Sequence, residues 1–228
     1  MKLHVATVVI ASLLALALAA TAGAVTFDAT NAASNTPGGQ RFDREVGLDF
    51  PKRILSDAST FIWYYIFNQT NPADRKPVDK VTLVVADVGG VAVASGDIIT
   101  LSAQYVGNYS GNVRIEVAGV LFHEATHVWQ WDGQGEANSG LIEGIADYVR
   151  LKAGYVASYW VRRGQGERWD QGYDVTARFL DYCDSLRPGF VALLNAKMKH
   201  GYSDDFFAQI LGKSVQQLWQ DYKAMYAA

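Results

Sequence analysis

Five consecutive residues, His123, Glu124, Ala125, Thr126 and His127, spell HExxH inside an apolar segment that runs from Val117 to Trp131. In a helix, residues four apart lie on one face, so the two imidazoles can converge on one metal ion while Glu124 stands beside it. The chemistry that suits this set is zinc-assisted hydrolysis, with the histidines as ligands and the glutamate as general base. Random placement of the chain's few histidines and glutamates yields only about 0.002 such matches, so chance is a poor explanation. The opposing reading is an ordinary buried helix whose histidines satisfy core hydrogen bonds.

Two histidines are too few, because catalytic zinc normally takes three protein ligands and keeps a fourth position open. The metzincin arrangement places a Gly three residues after the second His and a third His six residues after it. Those positions hold Gln130 and Gly133, so that variant is excluded. A His2Glu set needs instead a Glu on a following helix. Glu143 meets the requirement, within the apolar run Gly140-Leu141-Ile142-Glu143-Gly144-Ile145-Ala146-Asp147-Tyr148. A carboxylate there is costly to bury without a partner, and a cation is such a partner. Asp147 lies one turn further on the same face, placed to accept the outer N–H of a ligand imidazole and fix its tautomer. The expected cofactor is therefore Zn2+, held by His123, His127 and Glu143, with Glu124 as catalytic base. An oxyanion donor is also required, and His200, Tyr148, Tyr155, Tyr159 and Tyr173 are the candidates.

These residues need elements to hold them. The helical pattern is clear from Val120, with Val113–Val117 readable as strand or helix start; a glycine-rich loop follows, then a second helix over Leu141–Ala153. Upstream, Val25–Gln40 reads as an extended arm or edge strand closed by the turn Pro37-Gly38-Gly39, and Pro51–Phe67 as an amphipathic helix. Val81–Ala86, Val91–Ala94 and Ile98–Tyr105 read as strands of a small sheet, in which Ile98–Gln104 is nominated as the edge that could pair with an extended substrate. Downstream, Tyr155–Val161 reads as helical, and helices are expected over Val175–Leu186, Phe190–Lys199, Ser203–Leu211 and Val215–Met225, the last with Ser214 and Gln217 spaced as a capping box. No repeat or second domain is visible.

Residues 1–24 carry Lys2, an apolar stretch from Val5 to Ala20 and the small-residue site Ala22-Gly23-Ala24, as in a cleaved secretory signal. Residues 25–228 would then form a single domain, secreted and extracellular, with no stable membrane association. Cleavage removes one lysine and takes the formal charge from −3 to about −4. With no basic stripe, no nucleic-acid partner is expected. Cys183 is the only cysteine, so no intrachain disulfide can form, and it reads as a small buried hydrophobe. Asn68-Gln69-Thr70 and Asn108-Tyr109-Ser110 are N-glycosylation sequons for a eukaryotic setting.

His123–Gln130 (HEATHVWQ), Gly140–Tyr155 (GLIEGIADYVRLKAGY), Trp169–Cys183 (WDQGYDVTARFLDYC) and Gly201–Tyr222 (GYSDDFFAQILGKSVQQLWQDY) together resemble the plant basic secretory proteins, a family described as zinc metallopeptidases linked to defence. Glu143-x-x-x-Asp147 is similar to the gluzincin pattern. The resemblance implies an α+β, zincin-like domain with a small mixed sheet on the HExxH helix and a mainly helical C-terminal half. It implies a peptide or protein substrate, a monomer, an apoplastic location in a plant, and a role in responses to pathogens. It also makes Tyr173, in the GYDVTARFL segment, the preferred oxyanion donor. One departure is charge, since the family was named for basic members and this chain is mildly acidic. The competing expectation is a noncatalytic defence or cell-wall-associated binding protein in which zinc is structural; a third is a glycosylated storage or structural protein.

Overall fold

The computed structural model describes residues 24–227, so the leader read at residues 1–24 falls outside them but for its last residue. In chain order the elements are β1 (Thr26–Asn31), α1 (Pro37–Glu45), α2 (Asp49–Phe61) running on into a π-helical turn (Ile62–Ile66), β2 (Lys80–Ala86), β3 (Ala92–Ser95) and β4 (Ile98–Ser102). Seven helices follow: α3 (Ala103–Asn108), α4 (Val113–Trp129), α5 (Ser139–Lys152), α6 (Tyr173–Leu186), α7 (Phe190–Met198), α8 (Asp205–Leu211) and α9 (Val215–Met225). This is a mixed α/β arrangement with a small sheet and a mostly helical C-terminal half.

The β-branched run of β2 alternates, with Val81, Leu83 and Val85 fully buried, and forms the centre of the sheet. It pairs in parallel with β1 on one side and with β4 on the other, while β3 pairs antiparallel with β4 alone, giving the order β1-β2-β4-β3. The free edge beside the motif helix is therefore β3, and the Ile98–Gln104 nomination is corrected. The turn at Ser95-Gly96-Asp97 folds β3 back outside β4, which is hydrogen-bonded on both sides. Residues 103 and 104 have already left the sheet, since Ser102 accepts the Tyr105 N–H and starts α3.

Two further expectations give way to local chemistry. Pro37-Gly38-Gly39 opens α1 instead of a turn: Thr36 caps it by accepting from the Gly39 N–H, and Pro37 stands in the first turn. Tyr155–Val161 is loop, because Gly154 adopts φ +84° just past the end of α5 and Arg150 Nε donates to the Tyr155 carbonyl. The Ser214–Gln217 capping box is present as expected.

α4 is buried almost all round, with Val117, Leu121, Ala125 and Trp129 inside, as a central helix should be. α2 lies against β1, β2 and α4. There Trp129 donates to Ser59 Oγ at 2.9 Å and meets Trp63 edge-on. On its other side α4 meets α5, which in turn packs closely on α6, where Gly144 presses against Thr176 in a space that has no room for a Cβ. Cys183 is buried in the core, and Asn68 and Asn108 are exposed. Among the described residues, no helix is long and apolar enough to cross a membrane.

Candidate metal centre

Each helix that carries a candidate ligand begins with an Asn cap. Asn112 Oδ1 accepts from the Ile115 N–H at the start of α4, and Asn138 Oδ1 accepts from the Leu141 N–H at the start of α5. The two helices are also cross-linked by a buried ion pair, Arg150 Nη2 to Glu116 Oε2 at 3.0 Å, with both side chains under a tenth exposed. Glu116 is further satisfied by the phenols of Tyr105 and Tyr109, at 2.9 and 3.3 Å. Room for the guanidinium comes from Gly119, where an added Cβ would lie 2.8 Å from Arg150 Nε. The register of α5 on α4 is thereby fixed a few turns from the site.

That register brings His123, His127 and Glu143 together. His127 Nε2 is 3.1 Å from His123 Nε2, and Glu143 Oε2 lies 3.1 Å from His123 Nε2 and 3.5 Å from His127 Nε2. Bonds of about 2.0 Å at tetrahedral angles would put ligand atoms roughly 3.3 Å apart, so the three donors fit a zinc ion. Two imidazole nitrogens and a carboxylate facing one point also form a donor set that calls for a cation between them. Asp147 Oδ1 is buried 2.7 Å from His123 Nδ1, so when the imidazole gives up one proton the other stays on Nδ1 and Nε2 is the nitrogen left to offer a lone pair to the point of convergence. Burial alone would discourage charge on His123, but the carboxylates of Asp147 and Glu143 outweigh it and lift the imidazolium to about 9. Burial likewise opposes the Glu143 charge, but hydrogen bonds from His123 and His127 pull its carboxyl down to about 2. The site draws positive charge.

The second histidine has a partner that the sequence reading passed over. Gln130 Nε2 lies 2.9 Å from His127 Nδ1 and 3.3 Å from the Ile142 carbonyl, while its buried Oε1 has no partner. As placed, the Gln130 amide donates to the Ile142 carbonyl and packs against His127 Nδ1; accepting a proton from Nδ1 through Oε1 would require turning the amide and giving up the Ile142 bond. The signal was the spacing itself, three residues after His127, at the residue that caps the same helix.

Glu124 is 5% exposed and lines a cavity of about 620 Å³ with the three convergent residues. Burial raises its pKa, the neighbouring histidines lower it, Glu143 raises it again, and the Ala94 backbone of β3 lowers it. Its Oε2 has no partner. Tyr173 lines the same cavity, 55% exposed, with its ring stacked on His123 at 6.0 Å and 9°. Its φ of +46° costs about 1 kcal/mol in a non-glycine residue. The surroundings that hold it include Asp174, which accepts from the Val161 and Val175 N–H groups, and Thr176, which accepts from the Gly172 N–H. Burial and the nearby acids Glu143 and Asp147 raise the Tyr173 pKa, so the phenol keeps its proton as a donor. Of the other oxyanion candidates, Tyr159 also lines the cavity. Tyr148, Tyr155 and His200 do not.

Exposed Val91, Val93 and Tyr159 line the cavity, which therefore opens to solvent. Solved structures similar to this chain include the M1 zinc metallopeptidase of Deinococcus radiodurans, at 15% identity and a TM-score of 0.46, covering 87% of this chain and 48% of that one. A mutant of the same enzyme matches at 16% identity and a TM-score of 0.47 with the same coverage. The chain thus spans about half the length of the solved structures it matches. A basic secretory protease of Boswellia serrata is 50% identical over 58 residues, which are 25% of this chain and 66% of that relative. The profile of the family described as peptidases of plants and bacteria matches residues 22–222, nearly the whole of the sequence and all of the elements that build the site. The chain belongs to that family of peptidases of plants and bacteria.

Proposed function

We propose that the protein is a secreted, zinc-dependent peptidase with a zincin-like fold, hydrolysing peptide bonds in a defence-related setting. The observation that carries the reading is the convergence of His123, His127 and Glu143 in the wall of an open cavity that Glu124 also lines. Zinc bound there would polarise the substrate carbonyl and acidify a water. Glu124 would serve as the base for the attacking water: burial raises its basicity, and its buried Oε2 has no other partner. The same carboxyl then delivers the proton to the leaving amine. Tyr173 donates its phenol hydrogen to the substrate oxygen as negative charge builds there. Asp147 holds the His123 imidazole in the tautomer and orientation that a ligand needs, and Gln130 packs against Nδ1 of His127. The free edge of β3, in which exposed Val93 and Ser95 alternate with half-buried Ala92 and Ala94, offers an extended peptide a strand to pair with.

A purely structural zinc site would be closed by a fourth side chain, whereas this one faces a solvent-open cavity. Secretion is supported by the leader-like residues 1–24 and by the name of the Boswellia relative; the defence setting rests on the family resemblance. The test is Glu124→Gln. Zinc content should stay near that of the native protein while peptide hydrolysis drops about 10²- to 10⁴-fold. Hydrolysis at the native rate in a zinc-loaded Glu124→Gln protein would reject the assignment.

A further inference from the structure

Lys76 lies in the connection before β2, half-buried, and lines the same cavity as the convergent histidines. It also lines an adjoining cavity of about 590 Å³, which shares His127 and Ala94 and continues to Gly96. Its ammonium sits 5.7 Å from the Trp131 ring. Among the described residues no carboxylate comes within ion-pair distance of it, and Asp132 acts on it only through space. Burial pushes its pKa down, so the cation is held partly out of water with its hydrogen-bond donors unspent. The acids of the cavity wall are Glu116, Glu124, Asp132, Glu143, Asp147 and Asp174, and Asp132 also lines the second cavity beside Lys76 without reaching ion-pair distance. Arg150, the other permanent cation there, is already committed to Glu116 and Tyr155. A lone ammonium at the junction of two clefts is a group suited to capture an anion.

We propose that Lys76 takes a carboxylate of the bound peptide; this rests on the peptidase reading. Lys76 shares the second cavity with Ala94 and Gly96, which puts it at the C-terminal end of β3. A peptide added antiparallel to β3 brings its N-terminal residues to that end, where the carboxylate is an acidic side chain. A peptide added in parallel brings its C-terminal carboxylate. The chemistry is the same, and peptide design separates the two sources.

The test is calorimetric binding to the zinc-loaded Glu124→Gln protein, which keeps the cleft and removes the base. Two pairs of four-residue peptides are compared: Glu against Gln at the first position with amidated C-termini, and an Ala/Leu peptide as free acid against amide. One of the two carboxylate-bearing peptides should bind about tenfold more tightly than its neutral counterpart. The preference should vanish in Lys76→Met and survive in Lys76→Arg. A preference that persists in Lys76→Met, a lack of discrimination in both pairs, or a failure of all four peptides to bind overturns the proposal. Wild-type hydrolysis is measured separately. Hydrolysis without a carboxylate preference removes the Lys76 role alone, whereas a Lys76-dependent preference without hydrolysis removes the peptidase reading and leaves the subsite.

Discussion

Replacing Asp147 by Asn preserves the shape of the side chain and deletes the charge that holds the Nδ1 proton of His123. Asp147 is 4% exposed and its Oδ1 lies 2.7 Å from that nitrogen, so water cannot take its place. Loss of such an outer partner typically lowers metal affinity about 10- to 100-fold, or about 1.4–2.7 kcal/mol. A second effect runs the other way. Burial disfavours charge on His123, but Asp147 and Glu143 raise its pKa to about 9, and that proton competes with zinc for Nε2. Zinc affinity of the native protein should therefore rise with pH and level off above about 9. At pH 7, two units lower, the competition weakens it by about 100-fold. In Asp147→Asn the imidazole moves toward its ordinary value near 6.5, and the competition at pH 7 largely disappears. The full defect should thus appear at pH 9.5 and shrink or vanish at pH 7. Titration of metal-stripped protein against a chromophoric chelator at both pH values measures this. Equal affinities at pH 9.5, or a defect of the same size at both, would refute the reasoning.

Tyr173→Phe keeps the ring stacked on His123 and removes only the hydroxyl; kcat should fall about 10²- to 10³-fold with KM little changed, as steady-state kinetics will show. Arg150→Met strands the buried Glu116 carboxylate and should cost about 3–5 kcal/mol, seen in calorimetry as a Tm lower by roughly 6–20 °C. Adding Glu116→Gln should recover part of that loss, and a Tm unchanged by Arg150→Met would show that the pair does not hold α4 to α5.

The convergence of His123, His127 and Glu143 was legible because helical periodicity makes spacing equivalent to geometry. His123 and His127 are four apart on α4, Glu143 and Asp147 are four apart on α5, and a buried carboxylate needs a reason to be there. Other parts of the site depend on how elements meet. β3 has only four residues and a weaker apolar signal than Ile98–Ser102, and its place at the edge is decided by the direction of the Gly96 turn. Glu116 and Arg150 find each other across two helices, 34 residues apart. Lys76 reaches the cleft from a loop whose course no periodicity encodes. Tyr173 was chosen by resemblance, and its orientation depends on a positive φ that side-chain chemistry does not advertise. α1 hid behind Pro-Gly-Gly, residues that favour turns until Thr36 caps them and close packing on Ala33 and Ala103 requires their small size.

The central claim is that His123, His127 and Glu143 hold one zinc ion. Elemental analysis of the purified protein tests it most directly: the account predicts one zinc per chain, lost in His127→Ala, and a substoichiometric metal content in the folded native protein would contradict it.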